Sequence, residues 1–436
     1  GMGVKRWVAS LGVGLLLLAT GLMLLTSNRA ALLLELSLQG LISRLLGWSV
    51  GSQTIDLTLL LLGLILSCWS AQRGFNALYK LDSPRDTRSL VDLIYERRQL
   101  SHGLKIVALG GGTGLSTLLR GLKNHTSNIT AIVSVSDDGG SSGRLSKELG
   151  ILPPGDLRNC MTALADDENL LSELFRYRFR DGQGLEGHSF GNLFLAALTD
   201  MCGDFEEALR KASQILAIRG QVLPATLTPT TLCAKLRDGR LIRGESEIPE
   251  ARGQIQEVFL EPQQCTPPRE VLHVIAEADC IILGPGSLYT SVIPPLLIEG
   301  IVQAIRQSKA PKIYVCNVMT QPGETDKYSA ADHLEAIYHQ VGAQLVDYIV
   351  VNMAPPNKLL AKYQKTGAHP IKLNLARLRA MGVTPIPANL VNEETLVRHD
   401  PAYLAETILD ILAAHRSRSG ELNLLKAQVR PLRLVK

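Results

Sequence analysis

Seven short blocks hold the residue types that do chemistry, and most join glycines to a polar or charged side chain. In "GGGTGLS" (Gly110–Ser116) the run opens what reads as a helix. Free N–H groups and a positive dipole end there make Gly111, Gly112, Thr113 and Gly114 candidates for holding an anion. No Gly-Lys-Ser/Thr follows, and a GxGxxG count from Gly110 ends on Leu115, so neither nucleotide fingerprint is present. A tight strand-to-helix turn uses the same glycines. In "SVSDDGGSSGRL" (Ser134–Leu145) two carboxylates stand before a Gly/Ser run and an arginine. Asp137 and Asp138 are the candidate catalytic or hydroxyl-binding acids, because carboxylates at strand ends of an open α/β sheet face the ligand crevice. The backbone of Gly139, Gly140, Ser141 and Ser142, with Arg144, suits an anion. Capping of the turn by one aspartate is the structural alternative.

Four further blocks extend the set. "PPGDLRNCMTAL" places Asp156 as a helix N-cap, with Arg158 and Asn159 one turn inside. "GHSFGNLFLAAL" gathers His188, Ser189 and Asn192 at another helix start. His188 titrates near neutrality, though capping or packing would also use it. Ser189 lacks the Gly-x-Ser-x-Gly elbow of a hydrolase nucleophile. "GPGSLYTSVIPPLL" forms a second cradle from Gly284 and Gly286, with Ser287 as cap and Thr290 one turn in. "CNVMTQPGETD" contributes Asn317, Thr320 and Glu324, whose plainer role is hydrogen bonding within the loop.

In "VRHDP", Asp400-Pro401 starts a helix with proline at its first position, and Arg398 lies in reach of a phosphate. Zinc is unsupported, since His333 and His339 have no cysteine pair. A divalent ion held by Asp137 or Asp138 together with substrate phosphates is the metal chemistry these residues suit.

These blocks need a scaffold that brings loops together. "KIVALGG" and "ITAIVSVS" read as buried strands around the helix of "LSTLLRGL", where Leu115, Leu118, Leu119 and Leu122 share one face. Strand, helix and strand in about thirty residues make a βαβ unit and imply a parallel sheet. "DCIILG", "KIYVCNV", "DYIVVNM" and "VTPIPANL" read as further strands. Residues 221–265 differ: "TLCAKLRDGRLIRG" centres Asp-Gly between alternating residues, a hairpin signal. The expectation is a three-layer, Rossmann-like α/β sheet over 105–415 with a small antiparallel β insertion at 221–265. A basic tail follows at 416–436.

The amino terminus is of another kind. Trp7–Thr26 is uncharged and long enough to cross a bilayer, and Ile55–Ala71 is a second apolar segment. Lys5 and Arg6 precede the first; Arg73, Lys80 and Arg85 follow the second; only Arg29 and Arg44 lie between. The positive-inside rule then predicts a two-helix transmembrane hairpin over 1–75 with both ends in the cytoplasm. The localisation expected is membrane, with the α/β domain in the cytoplasm. A cleaved signal peptide is the rival for the first segment, and the second would remain as an anchor. Leu32–Leu46 also suits an interfacial helix. Residues 76–104 read as a juxtamembrane helical linker, with Leu90, Leu93 and Ile94 on one face.

Seven scattered cysteines, in odd number and without CxxC, read as reduced thiols. A net charge of +4 and 5% aromatics give no footprint for nucleic acid.

"LGGGTGLSTLLRGLK", "VSVSDDGGSSGRL", "PPGDLRNC", "GHSFGNL", "GPGSLYTSVIP", "CNVMTQPGETD" and "RHDP" occur in an order that resembles the YvcK family, the gluconeogenesis factors. The resemblance spans about Lys105 to His415, and the amino-terminal hairpin is an addition to the compact form. That family resembles the CofD fold, whose enzymes are 2-phospho-L-lactate transferases. The resemblance implies a Rossmann-like domain, a nucleotide-diphosphate ligand and, in the enzymes, Mg2+.

For the YvcK branch it implies UDP-sugar binding and a role in cell shape and wall metabolism during gluconeogenic growth. In the enzymes the acid after strand two meets the acceptor, the place of Asp137 or Asp138. In the YvcK branch a basic residue near the carboxyl end matters, and Arg398 matches it. "DDGGSSGRL" and "GHSFGN" depart from the transferase pattern. Two readings follow. One is a membrane-tethered nucleotide-sugar regulator acting through an envelope-synthesis partner. The other is a CofD-type phosphotransferase in which Arg144 or Arg158 stabilises phosphate charge. A homodimer is the default assembly.

Overall fold

The computed structural model describes residues 2–25, 52–82, 95, 98–166, 170–394 and 396–418. The chain divides into two compact units, Gly1–Arg98 and Gln99–Lys436.

In the first unit, helices Met2–Leu25 and Ser52–Asp82 pack antiparallel, pairing Ser10 with Ser70 (Oγ–Oγ 2.8 Å) and Gly14 with Gly63 and Ser67. Small residues on the facing sides let the backbones approach closely. Trp7 and Trp69 meet edge to face at 5.1 Å, and the Arg73 guanidinium lies over both rings. The outward faces are apolar, with Val8, Leu16 and Ile65 more than 60% exposed. One helix, through the window Leu57–Gly74, is long and apolar enough to cross a membrane; the apolar stretch of the other, Arg6–Thr20, is shorter. Leu32–Leu46 and residues 83–94, 96 and 97 of the expected linker lie outside the described residues, and the second helix runs past the expected hairpin boundary at 75 through residue 82.

The second unit contains twelve strands among its described residues: β1 (Ile106–Gly110), β2 (Ile129–Val133), β3 (Gln221–Pro224), β4 (Thr231–Leu236), β5 (Leu241–Arg243), β6 (Ile255–Glu261), β7 (Cys280–Leu283), β8 (Lys312–Val315), β9 (Tyr348–Asn352), β10 (Thr384–Ala388), β11 (Val391–Asn392) and β12 (Arg398–His399). Seven form one parallel sheet in the order β10-β9-β8-β7-β1-β2-β3.

Side chains alternate across this sheet, so it carries two apolar layers. Val107, Leu109, Ile281 and Leu283 pack with helices Arg269–Ala276, Ile301–Gln307 and Ala330–Val341. Ile106, Ala108, Cys280 and Ile282 pack with helices Gly112–Leu122, Gly155–Leu164, Phe190–Cys202, Phe205–Ile215 and Pro401–Arg418. Leu115, Leu118, Leu119 and Leu122 are fully buried, as their spacing predicts. The order reverses at β1, flanked by β2 and β7, and in such sheets this switch point is where ligands bind.

The insertion is a three-stranded antiparallel sheet, β5-β4-β6, with the Asp238-Gly239 turn joining β4 and β5. Its apolar side (Leu232, Ala234, Val258, Leu260) joins the first layer. Four boundaries differ from the sequence expectation. Gln221–Pro224 pairs in parallel with β2 and edges the large sheet, so the insertion begins after it. The unit starts at Gln99, because Leu100 is buried and its carbonyl accepts from Ser127 N. The run Gly140–Ser142 is the first turn of a helix, Gly140–Leu149. Finally, the last helix continues through Arg416, which pairs with Asp279 at 2.9 Å.

Candidate functional site

Parallel strands end on one edge, so the loops after β1, β2, β7 and β8 converge there. Two adjoining hollows of about 520 and 410 Å3 lie among them, sharing Asp137, Glu245, Ser287, Gln321 and Pro322. The larger is lined by Gly111–Gly114, Asp156, Gly286, Asn317, Thr320 and Arg398. The smaller is lined by Gly139, Ser246, Thr290 and Glu324.

The two glycine loops touch. A Cβ on Gly114 would stand 2.5 Å from the Pro285 carbonyl oxygen, so only glycine permits this approach. Asn317 stitches the next loop in: its Nδ2 donates to Gly286 O (2.8 Å) and its Oδ1 accepts from Gly286 N (3.3 Å). Gln321 Nε2 donates to Ser287 Oγ at 2.5 Å. Thr320 Oγ accepts from His369 N at 2.9 Å.

Asp156 does not cap its own helix, whose N-cap is Pro154. Its carboxylate reaches across and accepts from Gly112 N at 2.7 Å, occupying a donor of the first cradle. A Cβ on Gly111 would stand 2.5 Å from Asp156 Oδ2, so a larger residue there would push the carboxylate off Gly112 N. Burial, then the charge of Asp137, raises Asp156 to about 7, against the opposing pull of the Gly112 N–H and Arg158. Burial also raises Asp137, which accepts from Gly139 N at 3.1 Å. Asp138 turns the other way and accepts from Ser246 N at 3.0 Å, fastening the insertion to the loop after β2.

Glu324 is buried and pushed up to about 7, with Tyr289 N and the Thr290 hydroxyl as long donors at 3.4 and 3.3 Å. Ser287 therefore does not cap the second cradle with its side chain; Glu324 takes the Tyr289 N–H instead.

Arg158 balances the acids from behind. It is buried, donates to Ser189 Oγ (2.7 Å) and Asn159 Oδ1 (2.8 Å), and is lowered to about 10 by burial and then by Arg178. His188, Ser189 and Asn192 sit off the crevice in a buried network around Ser141: His188 Nδ1 at 3.1 Å, Ser189 N at 3.2 Å and Asn192 Nδ2 at 3.2 Å. Burial and then the charge of Arg144 lower the His188 pKa. Arg144 donates to Glu186 O at 2.7 Å and is exposed.

The structure thus gathers Gly111–Gly114, Asp137, Gly139, Asp156, Gly286, Ser287, Thr290, Asn317, Thr320, Glu324 and Arg398 in the crevice. It leaves Asp138, Gly140, Ser141, Ser142, Arg144, Arg158, Asn159, His188, Ser189, Asn192 and Gly284 outside its lining. Sequence reasoning missed Glu245, Gln321 and Tyr363. Gln321 lies inside a block already singled out; Glu245 sits on the insertion with no motif around it.

Among the described residues no three or more Asp, Glu, His or Cys side chains are grouped to hold a metal. Asp137 and Asp156, both oxygen donors on the crevice wall, fit a Mg2+ that ligand phosphates would complete.

A seven-stranded parallel sheet with glycine loops and carboxylates at its switch point defines a Rossmann-like α/β protein. Residues 106–391 match the sequence profile of the 2-phospho-L-lactate transferase CofD family, and the chain belongs to it, in the branch of the gluconeogenesis factors. A relative in Nostoc sp. is 47% identical over 94% of this chain and 90% of its own length. The Bacillus subtilis protein named gluconeogenesis factor is 49% identical over 71% of this chain and 98% of its own. A crystal structure of a UPF0052 family member from Bacillus halodurans superposes with a TM-score of 0.68 at 50% identity, covering 70% of this chain and 99% of that one.

Proposed function

We propose that the protein is a nucleotide-sugar-binding regulator, tethered to the membrane by its amino-terminal hairpin and serving cell shape and wall metabolism on gluconeogenic carbon. The observation that carries this reading is the two-ended crevice. Glycine loops and Arg398 offer backbone N–H groups and a cation for a diphosphate, while acids, hydroxyls and amides at the other end suit sugar hydroxyls. Because four carboxyls face the crevice and Asp156 holds the Gly112 N–H, the diphosphate would enter with Mg2+ shared by Asp137 and Asp156. The apolar outward faces of the helix pair and the Trp7–Trp69–Arg73 cluster support the tether.

Titrating UDP-GlcNAc with Mg2+ into residues 99–436 tests the binding. The Bacillus subtilis relative matches this chain over 310 residues that make up 98% of its own length, which supports testing the second unit without the amino-terminal helices. Saturation below millimolar is expected, and no binding at millimolar ligand refutes the reading. The envelope-synthesis partner and a homodimer belong to the same proposal.

A second reading, CofD-type phosphotransfer, draws on the family profile and on Asp156 poised near neutrality. Mass spectrometry of a reaction with a nucleotide-diphospholactate donor and a deazaflavin acceptor separates the two. Both substrates binding without a phosphodiester product eliminates transfer.

A further inference from the structure

The two hollows differ in charge. Arg398 lines the larger, and neither lysine nor arginine lines the smaller. The smaller offers the carboxyls of Asp137, Glu245 and Glu324 and the polar groups of Ser246, Thr290 and Gln321. Two of its acids have protein donors: Asp137 has Gly139 N, and Glu324 has Tyr289 N and Thr290 Oγ. Glu245 has none. It stands at the junction of both hollows, half-buried, with no hydrogen bond or ion pair to another residue. A carboxyl that has no protein donor and opens on a cavity is free to take its partner from a ligand.

The insertion is anchored so that Glu245 is held there. Asp138 accepts from Ser246 N, and Gly244, at φ +104°, brings its backbone against the Asp138 carboxylate, where a Cβ would stand 2.3 Å from Oδ2. On the far side Gly323 packs against the Pro249 backbone. Glu245 thus reaches the crevice from an element whose two flanks are both fixed.

We infer that this smaller hollow is the subsite for the uncharged, hydroxyl-bearing end of the ligand, and that Glu245 is the residue that selects against an acidic group there. The inference rests on the nucleotide-sugar reading of the same crevice. A neutral sugar supplies hydroxyls that donate to Glu245 when it is ionised and accept from it when it is protonated. A sugar acid would bring a fourth carboxylate among three with no lysine or arginine to meet it, the proposed Mg2+ being taken up by Asp137, Asp156 and the diphosphate, and like-charge juxtaposition is how interfaces reject wrong partners.

The test is calorimetry of the full chain in detergent, with Mg2+ present throughout, with UDP, UDP-glucose and UDP-glucuronate, using the native protein and Glu245→Gln. UDP-glucuronate is expected to bind at least about tenfold more weakly than UDP-glucose, with the gap shrinking to within about threefold in Glu245→Gln. Equal affinity of the native protein for the two sugars overturns the inference, and this arm needs no variant to fold. An unchanged gap in folded Glu245→Gln, judged by its melting curve, overturns the role of Glu245. If UDP binds but UDP-glucose gains nothing over it, the subsite fails while the nucleotide site stands. If none of the three binds, the nucleotide-sugar reading itself falls, and this assignment with it.

Discussion

Replacing Asp156 by asparagine should stabilise the fold while weakening the site. In the folded chain the carboxyl sits beside Asp137 and is raised from its ordinary 3.8 to about 7. Such a group favours the folded state fully below 3.8, and its contribution is lost as pH rises through about 7. The full loss for that displacement is about 4 kcal/mol, an upper bound.

Asparagine removes the charge and keeps an oxygen to accept from Gly112 N, now 2.7 Å away. Asp156→Asn should therefore exceed the native stability by up to about 4 kcal/mol at pH 8, and by less than about 2 kcal/mol at pH 5. Urea unfolding of residues 99–436 at both pH values reads this directly. A variant less stable than native at pH 8, or a difference that does not grow with pH, would refute the electrostatic account. Nucleotide-sugar affinity of the same variant should fall, a trade of function against stability seen at strained sites.

Two further substitutions test the framework. Ser141→Ala removes the common acceptor of Ser189 N and the Asn192 amide, so it should cost about 1–3 kcal/mol in urea unfolding, and a loss under about 0.5 kcal/mol would contradict the network. Asp400→Ala removes the side chain that accepts from Ala402 N and Tyr403 N at 2.9 and 3.0 Å, and should cost about 1 kcal/mol by the same assay.

The role of Asp156 shows where local reasoning stops. Asp followed by a helical pattern is a cap by local rules, yet Pro154 holds that position and Asp156 serves the helix at Gly112 instead. The partner lies 44 residues earlier in the chain, so no window around Asp156 contains it. Asp400, by contrast, caps the helix that directly follows it, and both donors are within three residues. His188, Ser189 and Asn192 look like a reactive group in sequence because their spacing puts them on one helix start. Ser141, 47 to 51 residues away, turns them inward.

By itself the sequence determined six of the seven strands of the parallel sheet, the buried leucine face behind "GGGTG", the hairpin of the insertion and the family. All of these depend on periodicity, turn chemistry or contiguous motifs. Only the tertiary structure decided which acids share the crevice. It separated Asp137, facing the ligand space, from its neighbour Asp138, which fastens the insertion. It also brought in Glu245 from a stretch with no motif. The physical reason is that burial and the charges of distant residues set a carboxyl's environment, and these exist only once the loops after β1, β2, β7 and β8 have met.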